Sequence, residues 1–322
     1  MKLDSEGQGK RKPVSNAIAG ALSGCVSRLA VGPLDVIKIR FQVQLEPIKK
    51  ATQSHYTGML QAFRVIVKEE GLAGLWRGTV PGLLLTVPYT AVQFVTVTRC
   101  KEIASRMGWA GNQSVYLPSV SFVSGAFAGA AATLASYPFD LLRTTLAAQG
   151  EPKIYSGMRD AAAKIVKRNG LGGLYSGFRV TLVEVIPYSA IQFAAYDSLN
   201  AVADRAMGSN EANRNGVQTF TCGLVAGIAS KLATHPLDVA KKRFQIAGLK
   251  RNSIYGKQID MKGVRSLLGL LTKICREEGV AGLWKGCLPN IVKAGPAAAV
   301  TFVSYEFFLG YLTAIAPKEG SL

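Results

Sequence analysis

A proline followed by an acid and then by basic residues occurs three times. The copies are Pro33-Leu34-Asp35-Val36-Ile37-Lys38-Ile39-Arg40, Pro138-Phe139-Asp140-Leu141-Leu142-Arg143 and Pro236-Leu237-Asp238-Val239-Ala240-Lys241-Lys242-Arg243. Their prolines lie 105 and 98 residues apart. Such a repeat constrains the fold more than any local propensity, because each unit buries its apolar face only against its neighbours. The 322 residues therefore read as three linked modules.

The solvent for these modules follows from composition. Apolar residues make up 48% of the chain and charged ones only 18%, with a net charge of +18. An apolar, strongly basic chain suits a membrane near anionic lipid or the binding of anions, and the long apolar stretches argue against a nucleic-acid partner. The five cysteines, Cys25, Cys100, Cys222, Cys275 and Cys287, have no CxxC spacing, so neither a disulfide framework nor a zinc site is expected. Cys25 and Cys222 read as small packing residues. Residues 1–14 are polar and lack the apolar core of a secretory signal.

Each module has the same order. A long apolar helix, expected at Ser15–Val43, Leu117–Ala148 and Gln218–Ile246, contains the signature proline, which removes a backbone bond and bends it. A short amphipathic helix follows, at Gly58–Glu70, Met158–Arg168 and Val264–Arg276. After a glycine-rich turn, such as Glu70-Gly71-Leu72-Ala73-Gly74-Leu75-Trp76-Arg77-Gly78, a second apolar helix runs over Val80–Cys100, Val180–Val202 and Leu288–Leu312. Modules are expected at 15–107, 115–207 and 217–315, with a linker at 208–216. Each long helix has the roughly 20 residues needed to cross a bilayer. Arg28, Glu184, Lys231 and Lys293 interrupt them, and intramembrane charges face a protein interior or watery cavity. The expected fold is an all-α membrane protein, six transmembrane helices in three pseudo-symmetric repeats around a central cavity. Gly20-xxx-Gly24, Gly125-xxx-Gly129 and Gly223-xxx-Gly227 recur at one place and predict close helix packing.

In this threefold signature, and in the acid-Gly-x4-aromatic-base-Gly turn that follows it, the chain resembles the mitochondrial carrier family over about residues 16 to 315. The segments Leu34 to Pro47, Tyr137 to Thr144, Ala148 to Lys153 and His235 to Asp238 are most similar to the thiamine diphosphate carriers of plants and fungi. The resemblance implies amphipathic helices on the matrix side, both termini facing the intermembrane space, cardiolipin at the glycine turns, a monomer, and thiamine diphosphate carried by exchange.

Within each signature the acid and first base are three residues apart and share a helix face. A single copy is explained by a local ion pair. Threefold repetition at the helix bends predicts instead a matrix gate in which Asp35, Asp140 and Asp238 pair with Lys38, Arg143 and Lys241 of neighbouring modules. The resemblance adds Gln42 and Gln245 as braces. The second module departs from the pattern, with Thr145, Ala147, Asn169 and Ser176 in place of base, brace, acid and base. The resemblance also implies a cytosolic gate. Only Lys101, Asp197 and Glu306 remain of it, so it is expected to be the weaker one and the resting state to open to the cytosol.

By the resemblance, substrate contacts fall three residues before the even-helix prolines, at Leu85, Glu184 with Val183, and Lys293, and five before the signature prolines, at Arg28, Thr133 and Lys231. The chemistry suits an anion with a cationic part. Arg28, Lys231 and Lys293 would grip a diphosphate, Glu184 would hold an aminopyrimidine or thiazolium, and Leu85, Tyr89 and Tyr188 would form an apolar or stacking wall. Structural pairs are the alternative reading of Arg28 and Lys231, a pair with Lys293 that of Glu184, and packing is the commoner role of both tyrosines. With only His55 and His235 present, no nucleophile-base-acid set or metal cluster is readable, so neither an enzyme nor a cofactor is expected. A nucleotide or coenzyme A carrier, a channel or proton leak, and a membrane scaffold stay open as alternatives.

Overall fold

A computed structural model describes residues 8–45, 55–106, 118–207, 216–247 and 266–315. They form helices joined by turns and short loops, without strands among the described residues. The long odd helices are α1 (Gln8–Val43), α5 (Pro118–Ala148) and α8 (Gly216–Ile246). The short amphipathic helices are α2 (Met59–Glu70), α6 (Met158–Asn169) and α9 (Leu267–Glu278). Of the even rods, α7 (Phe178–Met207) is continuous, whereas the others are split into α3 (Thr79–Leu84) and α4 (Thr86–Arg106), and into α10 (Cys287–Val292) and α11 (Ala294–Ile315). At 1.5 Å per residue the unbroken long helices span about 45 Å, enough to cross a bilayer. By length and composition Ile18–Val43 and Leu72–Arg106 qualify as membrane spans.

Most expected boundaries lie close to the observed ones. The first helix starts earlier, at Gln8, inside the segment read as a polar tail, where Gln8, Lys10, Arg11 and Lys12 are favourable helix formers. Residues 1–7, the start of the third amphipathic helix at Val264, Leu117, and most of the linker expected at 208–216 lie outside the described residues.

The longest packing seams join α1 to α11, α4 to α5 and α7 to α8, so each repeat's even helix packs along the odd helix of the next repeat. The bundle is tight at one end only. From Val31 to Val43, α1 is largely buried, as are Ser136 to Gln149 and Thr234 to Ile246, whereas the described parts of their N-terminal halves are more exposed. Val36, Ile37, Phe41, Tyr137, Leu141 and Ile246 belong to a core at this end, against Ala62 and Ile66 of α2 and Ala161 and Ile165 of α6.

This taper corrects one expectation. A Cβ added at Gly20, Gly24, Gly125, Gly129 or Gly227 meets nothing within 4 Å, and at Gly223 only Tyr196, at 3.8 Å. The three small-residue faces lie in the open half and look into space. Cys25 is likewise exposed rather than packed, while Cys222 is buried.

The signature prolines explain the tryptophans of the turns. Proline cannot donate to the carbonyl four residues back, and a backbone carbonyl left bare within a membrane is costly. Pro33 frees the Leu29 carbonyl, which accepts from Trp76 Nε1 at 2.7 Å. Pro236 frees that of Leu232, which accepts from Trp284 Nε1 at 3.1 Å. Both tryptophans sit in 3-10 turns, Leu72–Trp76 and Val280–Trp284. Repeat two has Tyr175, stacked on Tyr137 with ring centroids 6.0 Å apart, and among the described residues no side chain donates to the Leu134 carbonyl.

Gly78 and Gly286 start the even helices with φ of 82° and 77°. A Cβ on Gly78 would lie 2.5 Å from the Arg143 carbonyl oxygen, and one on Gly286 would lie 2.8 Å from that of Lys38. Backbone conformation and neighbour both demand glycine here. These turns press each repeat onto the signature helix of the next.

Candidate substrate passage and its closed end

The signatures of α1, α5 and α8 meet at the narrow end. Helical side chains lean towards the N-terminus, so a base three residues past its own aspartate rises to the level of the neighbouring helix's aspartate. The pairs follow a cycle. Asp35 bonds Arg143, Asp140 bonds Lys241 at 3.2 Å, and Asp238 bonds Lys38 at 2.8 Å.

Each aspartate also holds a second cation. Lys293 Nζ lies 2.6 Å from Asp35 Oδ1, Lys242 Nζ 3.5 Å from Asp140 Oδ1, and Lys231 Nζ 3.5 Å from Asp238 Oδ2. Gln245 Nε2 donates to Asp140 at 2.8 Å and Gln42 Nε2 to Asp238 at 3.3 Å. Asp35 receives no glutamine, since Ala147 stands at that place. Lys242 escaped the sequence reading, because its counterparts in the other repeats are the uncharged Ile39 and Thr144. It donates to Thr144 Oγ1 at 2.8 Å and Gln245 Oε1 at 3.0 Å. A third basic residue in a signature that elsewhere has at most two was the available signal.

Beyond this ring, the second signature bases staple the repeats together. All five donors of Arg40 are used: by Glu70 twice, by Tyr56 Oη at 2.8 Å, and by the carbonyls of Ala147 at 3.1 Å and Gln149 at 2.9 Å. Arg243 makes four such bonds at the seam between repeats three and one, two to Glu278 and one each to the carbonyls of Gln42 and Gln44. Arg77 and Lys285, the turn bases, bond Glu70 and Glu278 in turn. In repeat two all three charges are replaced together, by Thr145, Asn169 and Ser176. Thr145 turns back to its own helix, at the Leu141 carbonyl, and Ser176 Oγ donates to Phe244 O at 2.8 Å.

On the open side of the ring stand the residues expected to meet substrate. Lys231, seven residues before Asp238, also pairs with Glu184 at 3.0 Å and lies 5.4 Å from the Tyr188 ring centroid. Glu184 thus pairs with Lys231 and not with Lys293. Arg28 Nη1 donates to the Gly82 carbonyl. Leu85 and Lys293 sit at the breaks α3/α4 and α10/α11, three residues before Pro88 and Pro296. Tyr89 and Tyr188 are half-buried, Glu184 is buried, and Val183 is exposed. Thr133 Oγ1 bonds the Gly129 carbonyl in its own helix. Arg28, Lys38, Arg143, Lys231, Lys241, Lys242 and Lys293 outnumber Asp35, Asp140, Asp238 and Glu184, so the region carries surplus positive charge.

The opposite end shows no such closure. Asp197 and Glu306 are exposed, and neither makes an ion pair among the described residues. The side chain of Lys101 lies outside the described residues.

A helical bundle of membrane-spanning length, shut at one end by a cyclic ion-pair ring and cationic inside, is the architecture of a solute carrier. The chain belongs to the mitochondrial carrier family: residues 9–108, 116–205 and 213–315 each match the family described as "Mitochondrial carrier protein". It is 47% identical to "Mitochondrial thiamine diphosphate carrier 2" of Zea mays, over 96% of this chain and 97% of that protein. It is 46% identical to "Mitochondrial thiamine diphosphate carrier 1" of Arabidopsis thaliana, over 95% and 96% of the two chains. It is 39% identical to the human "Mitochondrial thiamine pyrophosphate carrier", over 91% and 90%.

Proposed function

We propose that this protein carries thiamine diphosphate across the mitochondrial inner membrane by alternating-access exchange. Three repeats, at 15–107, 115–207 and 217–315, form the passage. Both termini face the intermembrane space, and a monomer suffices. The similarity to proteins named for this substrate supports the choice of cargo. The observation that carries the mechanism is the second cation on each aspartate of the ring, because two of them, Lys231 and Lys293, are also substrate-contact positions.

A diphosphate entering from the open side competes with Asp35 for Lys293 and with Asp238 for Lys231. Charge-assisted bonds to phosphate are as strong as those to carboxylate, so binding transfers cations from gate to cargo at little net cost. Asp35 is left with Arg143 and Asp238 with Lys38, while Asp140 keeps Lys241 and Lys242. A ligand shifts a conformational equilibrium only by its differential affinity for the two states, and this transfer supplies the difference. Arg28 lies beside Arg143 and Asp35 around one small cavity at the α1, α3 and α5 seam, where it joins the phosphate grip. The matrix gate is the ring with Gln42 and Gln245. At the cytosolic side Lys101, Asp197 and Glu306 form a weaker closure. Cardiolipin bridges the glycine turns to the membrane on the matrix side. No cofactor takes part.

The test is a thermal-unfolding series of the purified protein with thiamine diphosphate, thiamine monophosphate, ADP and coenzyme A. A ligand at about one hundred times its Kd stabilises the protein by about 2.7 kcal/mol. Thiamine diphosphate is expected to raise the melting temperature most. A rise with ADP or coenzyme A and none with thiamine diphosphate would reassign the cargo.

A further inference from the structure

The Glu184, Tyr188 and Lys231 cluster has the chemistry of a site for an organic cation, and its occupant is the protein's own lysine. Glu184 and Tyr188 lie on one helix, four residues apart, so carboxylate and ring share a face of α7. Glu184 is only 8% exposed. Its carboxylate is 3.0 Å from Lys231 Nζ, whose ammonium also lies 5.4 Å from the Tyr188 ring centroid. A buried carboxylate beside an aromatic face is how proteins recognise cations whose charge is spread over an organic framework. Lys231 is the element that can leave. It reaches across from α8, and it already has a second partner in Asp238 at 3.5 Å.

We propose that Glu184 and Tyr188 form the subsite for the substrate's thiazolium, and that in the empty carrier Lys231 fills it as a stand-in cation. This rests on the reading of the cargo as thiamine diphosphate. Binding is then an exchange of partners. The thiazolium takes the place of the Lys231 ammonium between carboxylate and ring, and Lys231 turns to the diphosphate of the same molecule. A zwitterionic ligand satisfies both halves of the split pair. A ligand that is only an anion leaves Glu184 buried without a cation, which is costly, and a ligand that is only a cation leaves Lys231 with the longer Asp238 contact at 3.5 Å and no phosphate to turn to. The pair thus selects for one molecule bearing both charges.

The test is equilibrium binding by the purified full-length protein of three probes: thiamine diphosphate, unphosphorylated thiamine, and an isostere of thiamine diphosphate whose ring is uncharged. The wild type is expected to favour thiamine diphosphate over the uncharged isostere by about tenfold or more, and Glu184→Gln to erase that ratio. Tyr188→Phe keeps the aromatic face and is expected to keep the ratio, whereas Tyr188→Leu reduces it. The distinctive outcome belongs to Lys231→Met. Removal of the stand-in frees the subsite, so this variant is expected to bind thiamine about tenfold more tightly than the wild type while losing affinity for thiamine diphosphate. A Lys231 that merely grips phosphate gives no gain with thiamine, and that result overturns the proposal. So does an unchanged ratio in Glu184→Gln, which decides the matter should Lys231→Met fail to fold. A wild type that binds thiamine diphosphate and its uncharged isostere equally sinks this inference and spares the cargo assignment. A wild type that binds neither removes both.

Discussion

Arg40 spends every donor it has on partners that come from three different parts of the chain, and Glu70 takes two of them. Its role is connection more than net stabilisation, since a buried ion pair gains little over a well-packed apolar substitute, while loss of one partner costs about 3–5 kcal/mol. Arg40→Gln is therefore expected to destabilise the folded protein by roughly that amount, seen as a large drop in detergent melting temperature. Repeat two obeys the same rule from the other side. Thr145, Asn169 and Ser176 replace base, acid and base as a set, because any one charge kept alone would be stranded. Thr145→Arg on its own is expected to lower the melting temperature, and Asn169→Glu added to it to recover part of the loss. In that double-mutant cycle a coupling energy of about 1–3 kcal/mol is expected; simple additivity would refute the account. The sequence shows these departures at once. Their common logic is visible only where Arg40, Glu70 and Arg77 converge.

At the scale of the element, the long helices and amphipathic helices are legible because their apolar patterns are long and broken only by isolated charges such as Arg28 and Lys231. The breaks at Leu85 and Lys293 are not, since each lies three residues before a proline that α7 tolerates at Pro187 without interruption. The bonds from Trp76 to Leu29 and from Trp284 to Leu232 were also unreadable, because they join residues 47 and 52 positions apart. Trp76→Phe keeps the aromatic bulk and removes the donor. Loss of that bond is expected to cost about 1–3 kcal/mol, measured by thermal unfolding, and no change in stability would show that the proline's free carbonyl needs no partner. The glycine faces recur with the repeats but look into open space in this state. Their open surroundings make a separate prediction. Gly129→Leu is expected to leave the melting temperature within about 1 °C of wild type, as for a surface change, yet to slow transport if the open end must close around this face. Normal transport by that variant would show that α5 stays apart from its neighbours throughout the cycle.

For the whole molecule, the ring of Asp35, Asp140 and Asp238 and its cyclic pairing follow from threefold repetition alone, because three helices bearing the same acid and base have one symmetric way to satisfy both. The sharing of cations between ring and passage does not follow from spacing. Lys293 lies 258 residues along the chain from Asp35, and nothing local marks the encounter. In the proposed mechanism that sharing joins cargo to gate. It predicts that Lys293→Ala and Arg28→Ala each fold and each lose exchange, and normal exchange in both would dissolve the proposed phosphate grip. The most direct measurement is exchange of labelled thiamine diphosphate into liposomes that contain the purified protein and are preloaded with unlabelled thiamine diphosphate. Saturable uptake that needs the internal substrate, resists excess ADP and coenzyme A, and disappears in Lys293→Ala is the predicted result. Uptake of ADP or coenzyme A without uptake of thiamine diphosphate, or a leak that ignores the internal substrate, would contradict it.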